Sequence, residues 1–366
     1  MKQVNKVLVV GPPPWRDGGI EKHIGEIFTY LHTSHRADVV LLCPKNNGDH
    51  VQHINNYDLK IIQYHRTRMF PHLPFIWNKE LLDAIQNSDI VHIHGSGEID
   101  PFIFALLTKD VPLVVTPHFH PVASRFWLSA LKIMYDKFCL HYIFTKAKRI
   151  ICVSNIEKNE IIKKFGDGIG SKISVIPNGV NIDCIPHSRA HHQTGNEILF
   201  IGRLELHKNV DILIKTMPYL PKSYSLTIIG DGSQKEQLEN LTLNLNLGER
   251  VNFLGNASEQ EKWDGLLRCS LLVNFSSIEA FGITVVEGLA CNKPILVNNK
   301  LGLLELSEKF PCSVTTVDVE VQDYCQIAAA IKDAAGKTTS EPLEGYLWKN
   351  ISLKTLELYQ ETLRSS

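Results

Sequence analysis

Residues 271–298, LLVNFSSIEAFGITVVEGLACNKPILVN, narrow the possible folds more than any other stretch of the chain. They open on Leu271, Leu272 and Val273, a run short enough for a strand buried on both faces. A loop carrying Ser276, Ser277, Glu279 and Gly282 follows, and residues 284–290 read as a helix. Asn292, Lys293 and Pro294 stop that helix, and Ile295, Leu296 and Val297 begin a second buried strand. The result is one strand–helix–strand unit with a Gly-bearing loop at the carboxyl end of its first strand. Open parallel α/β sheets bind their ligands at such ends. Glu279 lies on the loop and Glu287 follows eight positions later, on the helix. Between them the helix N-terminus offers N–H groups and the positive end of a dipole. The pattern suits an anion at its centre and hydroxyl-bearing groups at its edges.

A chain of 366 residues exceeds one ordinary core and suits two domains. With 44% hydrophobic and 21% charged residues it has ordinary globular composition and no low-complexity tract. A formal net charge of -1 gives no reason to expect a nucleic-acid partner. Residues 1–185 carry 21 Lys and Arg against 17 Asp and Glu, a mild excess that would favour an anionic membrane surface. The eight cysteines are scattered without a C-x-x-C, which points to reduced thiols rather than a disulfide framework or a zinc site. Residues 7–10 are too short for a signal-peptide core, and no run approaches the about 20 apolar residues of a membrane span. The expected location is the cytoplasm, at most peripheral at the inner face of a membrane.

Residues 4–10 read as a first buried strand, followed by a Pro-rich loop ending in Gly18-Gly19 and an amphipathic helix over 20–31. No G-x-G-x-x-G is present, which disfavours an NAD-dependent dehydrogenase, and a Gly-Gly pair alone is more often a turn than a ligand contact. Short strands over 39–43, 60–63, 90–94 and 113–116 alternate with helices, the rhythm of a parallel sheet. His92 and His94 share one face of a strand. With no third ligand nearby in sequence they read as satisfied strand-end histidines rather than a metal site. His118 and His120 follow the strand 113–116 directly, on a carboxyl-end loop. In residues 123–149 aromatic and basic side chains interleave, reading either as a helix packed on the first domain or as a surface for lipid headgroups, with 66–70 adding to it.

Pro177-Asn178-Gly179 closes the first half, and the polar, His-rich residues 185–196 read as a linker. The second half opens with a strand and then Gly202-Arg203-Leu204, with Lys208 after it, a planar fork and a mobile point charge able to neutralise a diphosphate. Further strands end at Gly230-Asp231-Gly232 and at Leu254-Gly255.

Two exposed cations or two carboxylates are common alone, but here they fall into a longer pattern. The order Gly18-Gly19, Thr116-x-His118, Pro177-Asn178-Gly179, Gly202-Arg203 with Lys208, and Glu279-x7-Glu287 resembles the retaining family-4 (group 1) glycosyltransferases with the GT-B fold. The resemblance implies an α/β architecture of two Rossmann-like domains whose parallel sheets face across a cleft. The expected domains are 1–184 with a C-terminal helix over 346–366 crossing back to it, a linker over 185–196, and a donor domain over 197–345.

It further implies that Arg203 and Lys208 bind the diphosphate of a nucleotide sugar and stabilise the charge of the leaving group. Backbone at Ile283 and Thr284 assists, Glu287 accepts from the ribose, and Glu279 with the backbone of Phe281 and Gly282 holds sugar hydroxyls. Gly18 and Gly19 approach the donor phosphates or the acceptor through backbone N–H groups, Gly230 binds the donor as part of the Gly-x-Gly loop, the strand end at Leu254 contacts the nucleobase through backbone groups, and His118 lies beside the reacting sugar. The substrates expected are a nucleoside diphosphate sugar, UDP-linked in preference to GDP-mannose, and an acceptor glycan or lipid-linked sugar. No cofactor or metal is expected, since Arg and Lys take the place of the absent Asp-x-Asp clamp. Alternatives are an enzyme acting on the nucleotide sugar itself, in the manner of a hydrolysing epimerase, or a silent nucleotide-sugar-binding scaffold.

Overall fold

The computed structural model describes residues 4–16, 18–45, 58–66, 79–119, 134–186, 196–337 and 340–365. His120, residues 67–70, 123–133 and 187–195, all named above, lie outside them. The chain divides into two compact units, 1–178 with 348–366, and 179–347.

Among the described residues the first unit is built on seven strands, β1 (Lys6–Val10), β2 (Asp38–Pro44), β3 (Lys60–Tyr64), β4 (Ile90–His94), β5 (Leu113–Thr116), β6 (Arg149–Cys152) and β7 (Ile173–Val175). They form one parallel sheet in the order β3-β2-β1-β4-β5-β6-β7. Leu8, Val10, Val40, Val91 and Val115 from these strands pack with Phe104 and Phe144 from flanking helices. Burial on both faces explains why the strands are apolar runs rather than alternating ones. The helix Trp348–Arg364 belongs to this unit and buries Ile351, Thr355 and Tyr359, one stripe at helical spacing.

The described residues of the second unit have six strands, β8 (Asn196–Ile201), β9 (Tyr224–Ile229), β10 (Val251–Gly255), β11 (Leu271–Asn274), β12 (Ile295–Asn298) and β13 (Val314–Val317). Their order, again parallel, is β10-β9-β8-β11-β12-β13. The expected strand–helix–strand unit is β11, the helix Ile283–Ala290 and β12.

In each sheet the strand order reverses once, between β1 and β4 in the first and between β8 and β11 in the second. A crevice opens outside the carboxyl ends of the strands at such a switch point, and ligands bind there. The loops singled out from sequence follow β1 and β5 in the first unit and β8 and β11 in the second.

The first boundary falls earlier than the expected 184. Val180 donates its N–H to the Tyr346 carbonyl at 2.7 Å and bridges Leu347 in parallel, which ties residues 179–184 to the second unit. Both ends of that unit therefore lie side by side. Of the described residues in 123–149, the helical turns from Asp136 to Lys146 leave Phe138 62% and Tyr142 37% exposed, with Met134 at 58% just before them. Lys137 and Lys146 lie over the Phe138 and Tyr142 rings.

Candidate functional site

In the second unit three carboxyl-end loops are laced together. Leu204 is fully buried and anchors the loop after β8. Its N–H donates to the Asp231 carbonyl at 2.8 Å, and its carbonyl accepts from Gln234 N–H at 2.9 Å. Gly230 and Gly232 allow this approach. A Cβ on Gly230 would run into the Gly202 carbonyl oxygen, and one on Gly232 would stand 2.6 Å from the Leu204 carbonyl oxygen. Both glycines have positive φ, but only Gly230, at +136°, lies clear of ordinary extended backbone. Gly230 thus serves loop packing, a role separate from any contact with a donor. Asn209, left-handed at φ 52°, donates its side-chain amide to the Phe275 carbonyl at 2.9 Å, and Ser277 N–H donates to the His207 carbonyl at 2.8 Å.

This lacing brings together residues far apart in sequence. Lys208 Nζ lies 2.6 Å from Glu279 Oε2, with the two side chains 15% and 22% exposed. The cation expected at the diphosphate and the carboxylate expected at the sugar are thus ion-paired to each other. Arg203 is exposed on the same loop as Lys208. His207 beside them is held below its ordinary pKa by burial and then by the Lys208 charge.

Gly282, with φ 99°, is the N-cap of the helix Ile283–Ala290 and has no side chain to accept from the first turn. Ile283 and Thr284 are half-buried, and the Asn274 amide reaches the Thr284 hydroxyl at 3.5 Å. The first N–H groups of an α-helix lack partners within the helix, and here Val285 N–H donates back to the Gly282 carbonyl at 3.0 Å. Phe281 is buried with its ring stacked near Tyr346, so its side chain is taken up in packing. Leu254 is 43% exposed where the β9–β10 register shifts between Phe253 and Gly255. A register shift of this kind leaves main-chain groups outside the ladder.

Glu287 is 2% exposed, and its Oε1 meets Lys262 Nζ at 2.9 Å. Lys262, on the helix Glu259–Arg268, also holds Glu259 at 2.7 Å. Sequence reasoning missed Lys262, and no spacing in EQEKWDGLLR distinguishes it from a solvated lysine.

In the first unit, Gly18 is the N-cap of the helix Gly19–Thr33, and a Cβ there would collide with the Glu21 carboxylate. The missing side chain makes room for Glu21. His118 follows β5 with φ 46°, a conformation that side-chain-bearing residues seldom adopt. The next residue, Phe119, donates its N–H to Glu157 Oε1 at 2.5 Å, and Val153 N–H donates to Oε2 at 2.7 Å. Burial pushes Glu157 up to about 7, opposed by those two N–H groups. Glu157 was also missed, although Ser154, which caps its helix by accepting from Glu157 N–H at 3.1 Å, gave a legible helix start.

The two strand histidines differ. His92 is satisfied as expected, by the Tyr359 hydroxyl at 2.5 Å and the Thr116 hydroxyl at 2.8 Å. His94 is not, since neither ring nitrogen has a hydrogen-bond partner among the described residues. The expectation that no third ligand stands near is also corrected. His23 and His118 lie with ring centroids 5.3 and 5.9 Å from His94, because helix Gly19–Thr33 and the loop after β5 both cross the end of β4. His23 Nδ1 is 2.6 Å from Asn178 Oδ1, and burial, opposed by that bond, takes its pKa down to about 4.

A family model described as "Glycosyl transferases group 1" matches residues 182–335, and one described as "Glycosyltransferase Family 4" matches 17–183. An uncharacterised glycosyltransferase of Methanocaldococcus jannaschii is 32% identical over 228 residues, 62% of this chain and 60% of that relative's own length. A glycogen synthase of Mycobacterium tuberculosis is 24% identical over 95% of this chain and 92% of its own. Among solved structures, Anabaena HepE in complex with UDP-glucose superposes with a TM-score of 0.76 at 20% identity, covering 99% of this chain and 100% of that one.

Proposed function

For a chain that belongs to the group 1 glycosyltransferases and has their GT-B fold, we propose transfer of a sugar from a nucleoside diphosphate sugar to an acceptor hydroxyl, with retention of configuration. A UDP-sugar is the preferred donor over GDP-mannose, a choice supported by the UDP-glucose bound to the Anabaena neighbour. The observation that carries the reading is the Lys208–Glu279 pair beside Arg203 and the open helix start at Ile283, all at the switch point of one sheet.

Each group has a task. Arg203 and Lys208 neutralise the diphosphate, and with the helix N–H groups they stabilise the negative charge that grows on it as the glycosidic bond breaks. Glu279 fixes the Lys208 ammonium and keeps acceptor capacity for sugar hydroxyls. Glu287, oriented by Lys262, serves the ribose, and main chain near Leu254 reads the base. No divalent ion is needed at the diphosphate. The departing phosphate oxygen takes the acceptor's proton as the acceptor oxygen bonds to the anomeric carbon. Gly18, Gly19 and His118 are the first unit's contribution to the reaction. The acceptor is a glycan or lipid-linked sugar of cell-surface glycan synthesis. The exposed Met134, Phe138 and Tyr142 with Lys137 and Lys146 offer a contact to an anionic membrane.

A thermal-shift screen with UDP, GDP, ADP and their sugars tests the donor site. At a concentration about 100 times the Kd a ligand adds about 2.7 kcal/mol of stability. Stabilisation by uridine nucleotides that is lost in Arg203→Ala supports the reading. A folded chain that no nucleotide stabilises overturns it.

A further inference from the structure

His23, His94 and His118 come from three different elements and are all buried. One ring nitrogen from each lies within 4.8 Å of the other two. We propose that these three imidazoles form a binding site for a divalent transition-metal ion of the zinc class within the first unit.

Three observations converge on it. His94 is 2% exposed, and neither ring nitrogen meets a hydrogen-bond partner among the described residues, an arrangement native interiors avoid unless something else occupies the lone pair. His23 is already oriented as a ligand. The Asn178 carbonyl oxygen can only accept, so Nδ1 carries the hydrogen and the Nε2 lone pair is available. Metal-bound histidines are held in this way by an outer acceptor. His118 keeps a backbone at φ 46°, and Glu157 grips the next residue, so its ring is presented from a fixed loop. Small rotations of the rings would bring three nitrogens to the about 2.0–2.1 Å of a zinc–imidazole bond.

The donor set selects the ion. Three neutral imidazoles without a carboxylate suit zinc, cobalt, nickel or copper and reject magnesium and calcium, which require oxygen ligands. His92 stands apart from the set because its two nitrogens already serve Tyr359 and Thr116. A bound ion would tie the helix Gly19–Thr33, the end of β4 and the loop after β5 together at one point. It would also occupy the His118 nitrogen that the proposed reaction gives to the sugar, so ion and donor would compete for that ring.

The site stands on first-unit geometry and does not depend on the donor reading. The test is cobalt(II) titration of the full chain after removal of metal with a chelator. One cobalt per chain with the intense visible bands of tetrahedral coordination is expected. His94→Ala and His23→Ala should abolish the bands, Asn178→Ala should weaken affinity by about 10–100-fold, and the exposed His35→Ala should leave it unchanged. No saturable spectrum, or an unaltered one in His94→Ala, overturns the proposal. Should a variant fail to fold, X-ray absorption of the zinc-loaded wild type decides. Three imidazole scatterers support the site and fewer reject it. Nucleotide-induced stabilisation measured on the metal-free chain separates failure here from failure of the donor reading.

Discussion

Replacing Lys262 by Met removes the counter-ion of a carboxylate that is 2% exposed. Two unit charges at the observed 2.9 Å attract by about 6 kcal/mol at an effective dielectric constant of about 20. Desolvation of both ions offsets much of that in the intact pair, but deleting Lys262 leaves the buried carboxylate without this counter-ion, at a cost of about 3–5 kcal/mol. The contact of Lys262 with Glu259 adds little, because Glu259 is 70% exposed. Urea unfolding followed by fluorescence suits the measurement, since Trp263 is buried beside Lys262, its ring centroid 5.0 Å from Nζ. The double variant Lys262→Met with Glu287→Gln leaves no charge at either position and should recover about 2 kcal/mol or more of the loss. A Lys262→Met chain within about 1 kcal/mol of wild type, or strictly additive single changes, would refute the reasoning.

Lys208→Ala should lower kcat/KM for the donor by about a hundredfold or more through lost charge stabilisation, with little loss of stability because the Glu279 pair is partly exposed; unchanged steady-state kinetics would count against the diphosphate role. Gly230→Ala forces a Cβ into the Gly202 carbonyl at φ 136° and should destabilise by about 3 kcal/mol or more, checked by denaturant midpoint. Glu157 is raised in the fold from 4.5 to about 7, so its contribution to stability is fully present below pH 4.5 and is lost as pH rises through about 7. Glu157→Gln should remove that pH-dependent loss. It should also cost about 1–3 kcal/mol at low pH, because an amide cannot accept N–H groups on both of its arms; unfolding curves across pH 4 to 8 distinguish the two effects.

Much of this architecture was legible because strands buried on both faces announce themselves as short apolar runs. β4 and β5 fall on the residues expected, and Glu279 and Lys208, each legible alone, meet in the fold. What stayed hidden has a common cause. Lys262 is polar, sits in a helix full of charges, and acquires its meaning from Glu287, a residue 25 positions away on another helix. His23 looked like one polar position in an amphipathic helix, and only the crossing of that helix over β4 brings it to His94. Gly18 and Gly230 were legible as special positions, but what they make room for, Glu21 and the Gly202 carbonyl, is a property of packing. Periodicity reports which face is inside, and it does not report which polar residues meet there.

The pairing of Val180 with Tyr346 and Leu347 means that the second unit enters and leaves the chain at a single doorway. A segment whose ends already touch can be cut out or exchanged without stretching what remains, which is the condition under which domain insertions are tolerated. Residues 179–347 therefore have the form of a cassette. Under the proposed reading, a relative's corresponding segment grafted at the same two points would carry its own donor preference into this chain and leave the first unit with its own sequence.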